Sequence, residues 1–191
     1  MRKLAYVREQ HVWYQCDLKR AAPLELPQGL RLVRADASQV DSVARLGQDL
    51  EEARERFESG TDIWLVLDGD EPVFLCFTFR QTTPVIAAAD GLLVLPRGTA
   101  CLEDAVTAPA VRGRGIASAA WVQVGKQLER AGFTTLVAKI ETENGASKRV
   151  AEKSGFRPVA LMEHQRTGAR RHTAVRPLGG GLGDELAARL S

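Results

Sequence analysis

Between Val106 and Ala117 the chain reads Val-Thr-Ala-Pro-Ala-Val-Arg-Gly-Arg-Gly-Ile-Ala. A proline is followed by two glycines interleaved with two arginines, and then by an apolar pattern at helical spacing. Glycines let the backbone come close to a ligand. The first N–H groups of a helix have no partner inside it, and the helix dipole adds positive potential there. Such a turn suits an anion, above all a diphosphate. Arg112 and Arg114 add positive charge around it. Two common phosphate motifs do not fit. No Gly-x-x-x-x-Gly-Lys-Ser/Thr run is present, and Gly113 and Gly115 are followed by Ser118 where Gly-x-Gly-x-x-Gly requires a glycine.

Just before this turn lies Leu102-Glu103-Asp104. A carboxylate there can take a proton from a nucleophile, or it can be a solvated edge charge. Side chains alternate along a strand, so Asp104 is expected on the face opposite Glu103, with Cys101 on the Glu103 face. Cys101 reads as a buried thiol. Glu51, Glu52, Glu55 and Glu58 read as a solvated helix face paired locally with Arg54 and Arg56. Trp121 reads as core. His164, Arg170, Arg171 and His172 read as surface charge. Trp13 and Tyr14 either cover a cleft or pack on a sheet.

The elements that must position these residues follow from patterning. Residues 1–29 read as a lead-in ending in a Pro-rich loop, 30–178 as one domain, and 179–191 as a Gly-rich tail with a short helix. Strands are expected at 30–34, 63–67, 73–79, 102–108 and 136–140, with a hairpin over 158–176 around Thr167-Gly168. Helices are expected after Asp36 or Ser38, over 49–59, over 113–130 and over 146–153. Residues 80–100 are hard to read, with Pro84–Ala87 as a candidate strand. The order β, α, α, β, β, β, α, β, α, β, β suggests a single α/β or α+β domain.

Composition excludes several classes. The 191 residues are 45% hydrophobic and 26% charged, enough for a real core. A net charge of +2 gives no argument for nucleic acid or an anionic membrane. Cys16, Cys76 and Cys101 are odd in number and widely spaced, against a disulfide framework or a zinc site. With three histidines, no metal cluster is visible. The polar start lacks the apolar run of a signal peptide, so a cytoplasmic location is expected.

Two blocks resemble the GCN5-related N-acetyltransferase (GNAT) superfamily. Arg112-x-x-Gly115-x-Ala117 is similar to its coenzyme A signature, Gln/Arg-x-x-Gly-x-Gly/Ala. Asn144-Gly-Ala-Ser147, continuing to Lys153-Ser-Gly155-Phe156, is similar to its Asn-x-x-(Ala/Ser) and Lys-x-Gly-Phe block. The resemblance spans residues 30–177 in element order and is sharp over 101–156. It implies a mixed central sheet flanked by helices, in which two parallel strands, here 101–108 and 135–142, splay apart to admit pantetheine. Backbone groups of Ala105, Val106 and Thr107 would pair with the pantetheine. Arg112 and the N–H groups of Gly113, Arg114, Gly115, Ile116 and Ala117 would hold the pyrophosphate. Asn144 and Ser147 would lie near the thiol.

The resemblance implies transfer of an acetyl group from acetyl-CoA, released as coenzyme A, to a primary amine of a small molecule or a protein N-terminus. Leu102-Glu103-Asp104 resembles a segment of polyamine and aminoglycoside acetyltransferases, which makes Glu103 the expected base and Asp104 a candidate to orient the acceptor. The Val106 or Thr107 N–H is the implied oxyanion donor. Ala151 stands where many members have a tyrosine acid. Ser147 is then the candidate to hydrogen-bond the departing thiolate, or else simply a helix-start residue. A non-catalytic acyl-CoA-binding module and a transferase of a longer acyl group are the alternatives. The oligomeric state is left open, a homodimer among the options.

Overall fold

The computed structural model describes residues 6–88, 90–179 and 181–190. The chain opens with β1 (Tyr6–Asp17), then β2 (Leu30–Arg34), α1 (Val40–Arg45), α2 (Leu50–Glu58), β3 (Asp62–Asp68) and β4 (Glu71–Phe79). A small hairpin follows, β5 (Thr82–Pro84) and β6 (Leu92–Val94). Then come β7 (Thr99–Thr107), α3 (Ile116–Arg130), β8 (Thr135–Glu141), α4 (Gly145–Lys153), β9 (Arg157–Thr167), β10 (Arg170–Pro177) and α5 (Gly181–Leu190).

Local signals account for most of these. Asp49 caps α2, its carboxylate accepting from the N–H groups of Glu51 and Glu52. Asp36 and Gln39 form a capping box ahead of α1. Ile116, Ala120, Trp121, Val124 and Leu128 give α3 one buried face. The helix starts at Ile116 and not at Gly113, because Gly113 and Gly115 hold φ of 81° and 79°, outside the helical region. Pro84–Ala87, read as a candidate strand, is mostly turn. Strand pairing ends at Pro84, and the Val85 N–H turns back to the Gly91 carbonyl.

Eight strands form one mixed sheet, in the order β10-β9-β1-β8-β7-β4-β3-β2. The segment 1–29, expected as a lead-in, supplies β1 to the interior of this sheet, antiparallel to both β8 and β9. From His11 to Cys16 both faces of β1 are covered, with Val12, Tyr14 and Cys16 in one core cluster and Trp13 in another. A strand buried on both faces loses the apolar–polar alternation that betrays a strand in sequence. The tail is likewise part of the packing. Leu186 and Leu190 of α5 are buried beside Val159 and Met162 of β9.

α3 and α4 cover one face of the sheet. On the other face, α1 and α2 pack on β3 and β4, while α5 and the β5–β6 hairpin pack on β1, β7, β8 and β9. Among the described residues no helix is long and apolar enough to cross a membrane.

β7 and β8 are the parallel pair, and they part company. Their pairing runs from Thr99↔Thr135 to Leu102↔Ala138 and stops, although β7 continues to Thr107 and β8 to Glu141. β7 instead stays with β4 as far as Phe74↔Thr107. The departure coincides with a bulge. Across from Leu75 and Phe77 stand Val106 and Glu103, so Asp104 and Ala105 together oppose Cys76. Asp104 holds φ of 51°, the one non-glycine residue with positive φ among those described. An extra residue of this kind bends a strand and increases its twist, and it does so where the sheet opens.

Candidate active site

Two cavities meet in the opening, sharing Ala105, Trp121 and Ser147 as common walls. The larger, of about 510 Å³, runs along the far half of β7, under the glycine turn and against α4. Ala105, Val106 and Thr107 line it from the strand, Arg112, Gly113, Gly115, Ile116 and Ala117 from the turn and helix start, and Ser147 from α4. Arg114, expected in the same group, is exposed and lies outside this lining. The Arg112 Nε donates to the Thr107 carbonyl at 3.1 Å, tying the turn to the end of β7. On its β8 side, β7 has no ladder beyond Leu102, so its backbone edge faces the cavity.

The structure adds two cations to this groove. Arg149 and Lys153 line it from α4, and the Lys153 Nζ sits 3.7 Å from where a Cβ on Gly115 would stand. Their spacing puts both on one helix face. That spacing was legible in the sequence, where Lys153 served only as a motif letter and Arg149 not at all. With Arg112 they supply three positive side chains beside the glycine turn and the start of α3, where helix N–H groups lack intrahelical partners. This donor set fits a phosphorylated ligand.

The second cavity, of about 360 Å³, holds the carboxylates. Glu103 is largely enclosed, with 11% of its side chain exposed, among specific partners. Its Oε1 accepts from the Thr83 hydroxyl at 2.9 Å and from the Cys101 thiol at 3.5 Å, and its Oε2 lies 3.7 Å from the Lys139 Nζ. Burial raises the Glu103 pKa, and Lys139 is the largest influence opposing that rise. Cys101, buried beside Glu103, is pushed well above the ordinary thiol range, as expected of an inert thiol.

Asp104 does not obey strand alternation. Its Oδ2 accepts from Arg56 of α2 at 2.8 Å, and the Arg56 guanidinium lies 4.0 Å above the Phe77 ring. Phe77 is the ladder partner of Glu103 and shares its face. The bulge therefore turns Asp104 toward the side of the sheet that Glu103 occupies. Arg56 also pairs with Glu52, and Arg54 with Glu51, so this part of the acidic segment is locally neutralised, as expected.

Asn144 and Ser147 both line the second cavity. Asn144 is the cap of α4, its Oδ1 accepting from the Ser147 N–H at 3.0 Å. Ser147 is thus not the cap, and its side chain stands where the two cavities join. Ala151 is fully buried in the core.

His11 was missed by sequence reading, because β1 looked like a lead-in. It lines the second cavity with its side chain only 9% exposed and its Nδ1 without a hydrogen-bond partner. Burial, and then the Lys139 charge, lower its pKa to about 4, so it is neutral near pH 7. Trp13 and Tyr14 pack on the two sides of the sheet, the Tyr14 hydroxyl reaching Glu152. His164, expected at the surface, is fully buried, with Nδ1 2.8 Å from the Thr173 hydroxyl. Among the described residues no group of three metal-ligating side chains assembles.

Residues 27–157 match the family model described as "Acetyltransferase (GNAT) domain". A search of curated proteins finds no match. Among solved structures, a putative GNAT acetyltransferase from Novosphingobium aromaticivorans is similar with TM-score 0.60 at 14% identity, over 85% of this chain and 66% of that one. A GNAT acetyltransferase from Colwellia psychrerythraea gives 0.61 at 15%, over 87% and 58%. This chain thus spans less than two thirds of either. An aminoglycoside N-acetyltransferase solved in complex with CoA gives 0.54 at 15%, over 66% of this chain and 91% of that one. At such identities the structures speak for the fold alone. The family match extends over more than half of the sequence and takes in β2 to α4, including both sides of the opening, and on that basis the chain belongs to the GNAT family of acetyltransferases.

Proposed function

We propose that this protein transfers an acetyl group from acetyl-CoA to a primary amine, by direct attack of the amine on the thioester. One observation carries the reading. The split between β7 and β8 sets a cation-lined glycine turn and a largely enclosed carboxylate in adjoining cavities with a common wall. In this reading the N–H groups from Gly113 to Ala117, with Arg112 and Lys153, hold the diphosphate. The free edge of β7 at Ala105–Thr107 receives the pantetheine as an added strand would. The thioester then lies near Ser147, facing the second cavity.

The amine nitrogen bonds to the thioester carbon, and the carbon–sulfur bond breaks as the tetrahedral intermediate collapses. An alkylammonium is mostly protonated at neutral pH, so its proton must go elsewhere before or during attack. Glu103 receives it, directly or through water. A base held above the ordinary carboxylate range by burial is better matched to that task than an exposed glutamate. The Ser147 hydroxyl donates a hydrogen bond to the departing thiolate, which takes up the second proton that the nitrogen loses. Asp104, on the cavity side of the bulge, orients the acceptor, which is a small-molecule amine or a protein N-terminus. The amines that the aminoglycoside enzyme is named for are one class to include in a panel.

A second reading, an acyl-CoA-binding module, draws support from the engagement of both Glu103 oxygens by protein groups. Acetyl-CoA turnover over a panel of amines, with coenzyme A binding measured in parallel, decides between them. Glu103→Gln is expected to keep coenzyme affinity and lower kcat by about 10²- to 10⁴-fold. Wild-type protein that binds coenzyme A but acetylates nothing in the panel would defeat the enzymatic reading.

A further inference from the structure

Leu102 and Ala138 are the last paired residues of β7 and β8, and the next residue on each strand is charged: Glu103 and Lys139. Their side chains meet across the point where the sheet opens, at 3.7 Å, with only 11% and 14% of each exposed. The adjacent β5 holds both. The Thr83 hydroxyl donates to Glu103, and the Lys139 Nζ donates to the Pro84 carbonyl at 3.0 Å. Two consecutive residues of one short strand thus grip the two halves of an ion pair. Thr83 itself is fully buried, so its hydroxyl is held away from water.

We propose that Lys139 is a positioning residue for Glu103: anchored by β5, it fixes the carboxylate at the apex of the opening and keeps it in the ionised, proton-accepting form. This rests on Glu103 being the base of the proposed reaction. A carboxylate with so little of its side chain exposed is otherwise driven toward its neutral acid, which cannot accept a proton. The other titratable groups around it offer no substitute. Asp104 adjoins it on β7 and repels its charge, the Cys101 thiol is uncharged, and Glu141 of β8 is acidic. His11 of β1 is neutral, and Arg56 of α2 is engaged by Asp104 and Glu52. Lys139 is therefore the cation that balances Glu103. The pairing also gives the β5–β6 hairpin a function, since it carries the two contacts that hold the pair together.

The test is a titration of the Glu103 carboxyl carbon by NMR in glutamate-labelled protein, with the signal assigned by its loss in Glu103→Gln. A single opposite charge within this distance lowers a carboxylate pKa by about one to three units. Lys139→Met should therefore raise the Glu103 midpoint by about one to three pH units, while Lys139→Arg should leave it near the wild-type value. The acid limb of the kcat/KM profile should move to higher pH with it, and coenzyme A affinity should be unchanged. Following the carbon signal separates Glu103 from His11, which also loses the Lys139 charge in this variant. Should Lys139→Met not fold, Lys139→Gln keeps a donor for the Pro84 carbonyl and carries the same comparison. An unmoved Glu103 midpoint overturns the proposal. A midpoint that moves in a protein that acetylates no amine retains the electrostatic pairing but removes its catalytic meaning, and then it is the proposed reaction that fails.

Discussion

Replacing Gly115 by alanine separates what the glycine turn does for folding from what it does for the coenzyme. Gly115 holds φ of 79°, where a residue with a Cβ is disfavoured by roughly 1–2 kcal/mol. The added methyl meets nothing in the protein closer than the Lys153 Nζ at 3.7 Å, an ordinary contact with the end of a flexible side chain. The fold should therefore survive, with a loss in Tm of a few degrees, since about 1 kcal/mol corresponds to roughly 2–4 °C in a domain of this size. The ligand is less tolerant. The methyl projects beside the groove between the turn and Lys153, where a diphosphate oxygen would be held by both. Losing one charge-assisted hydrogen bond there is worth about 1.5–3 kcal/mol, which is roughly a 10- to 150-fold weaker Kd for coenzyme A. Gly132→Ala is the matched control. Gly132 has φ of 92° and open space around its Cβ position, but it follows the far end of α3. Calorimetric titration with coenzyme A, alongside thermal melts, should show similar destabilisation in the two variants and an affinity loss only in Gly115→Ala. Equal affinity in both would refute the cradle.

Three further outcomes follow from particular contacts. A Cβ on Gly183 would stand 2.3 Å from the Val159 carbonyl oxygen, which is backbone and cannot swing away; Gly183→Ala should lift α5 from β9 and destabilise the protein by about 1–3 kcal/mol, seen as a lower denaturation midpoint, whereas Gly181→Ala, with open space, should not. His11 has a folded pKa of about 4 against an ordinary 6.5, so between those values the unfolded chain binds the extra proton; stability should fall as pH drops from about 6.5 toward 4, and His11→Gln should flatten that part of a stability-versus-pH curve. Arg56→Ala releases Asp104 and removes the cation over Phe77; it should change the KM for the amine and leave the coenzyme Kd alone, and an unchanged amine KM would disconnect Asp104 from the acceptor.

The coenzyme side of this protein was legible in the sequence because its parts are local. Gly113, Gly115 and the helix they introduce are consecutive, and what they do depends on backbone angles that glycine alone adopts easily and on the N–H groups of the next few residues. The second block works in the same way, with Asn144 capping the helix that brings Ser147 and Lys153 to the groove. The carboxylate side was decided by tertiary structure. Glu103 was visible as a residue, but its environment is made by Thr83 and Pro84 from a hairpin with weak strand signals, by Lys139 from the neighbouring strand, and by His11 from a strand buried on both faces. Alternation misplaced Asp104, because a period of two holds only while each residue faces one partner, and the bulge opposite Cys76 inserts an extra one. Contacts between residues adjacent in the chain are written in local order. Contacts that join β1, β5, β7 and β8 exist only once the sheet has assembled, since the pairing that brings them together depends on the burial of every strand at once.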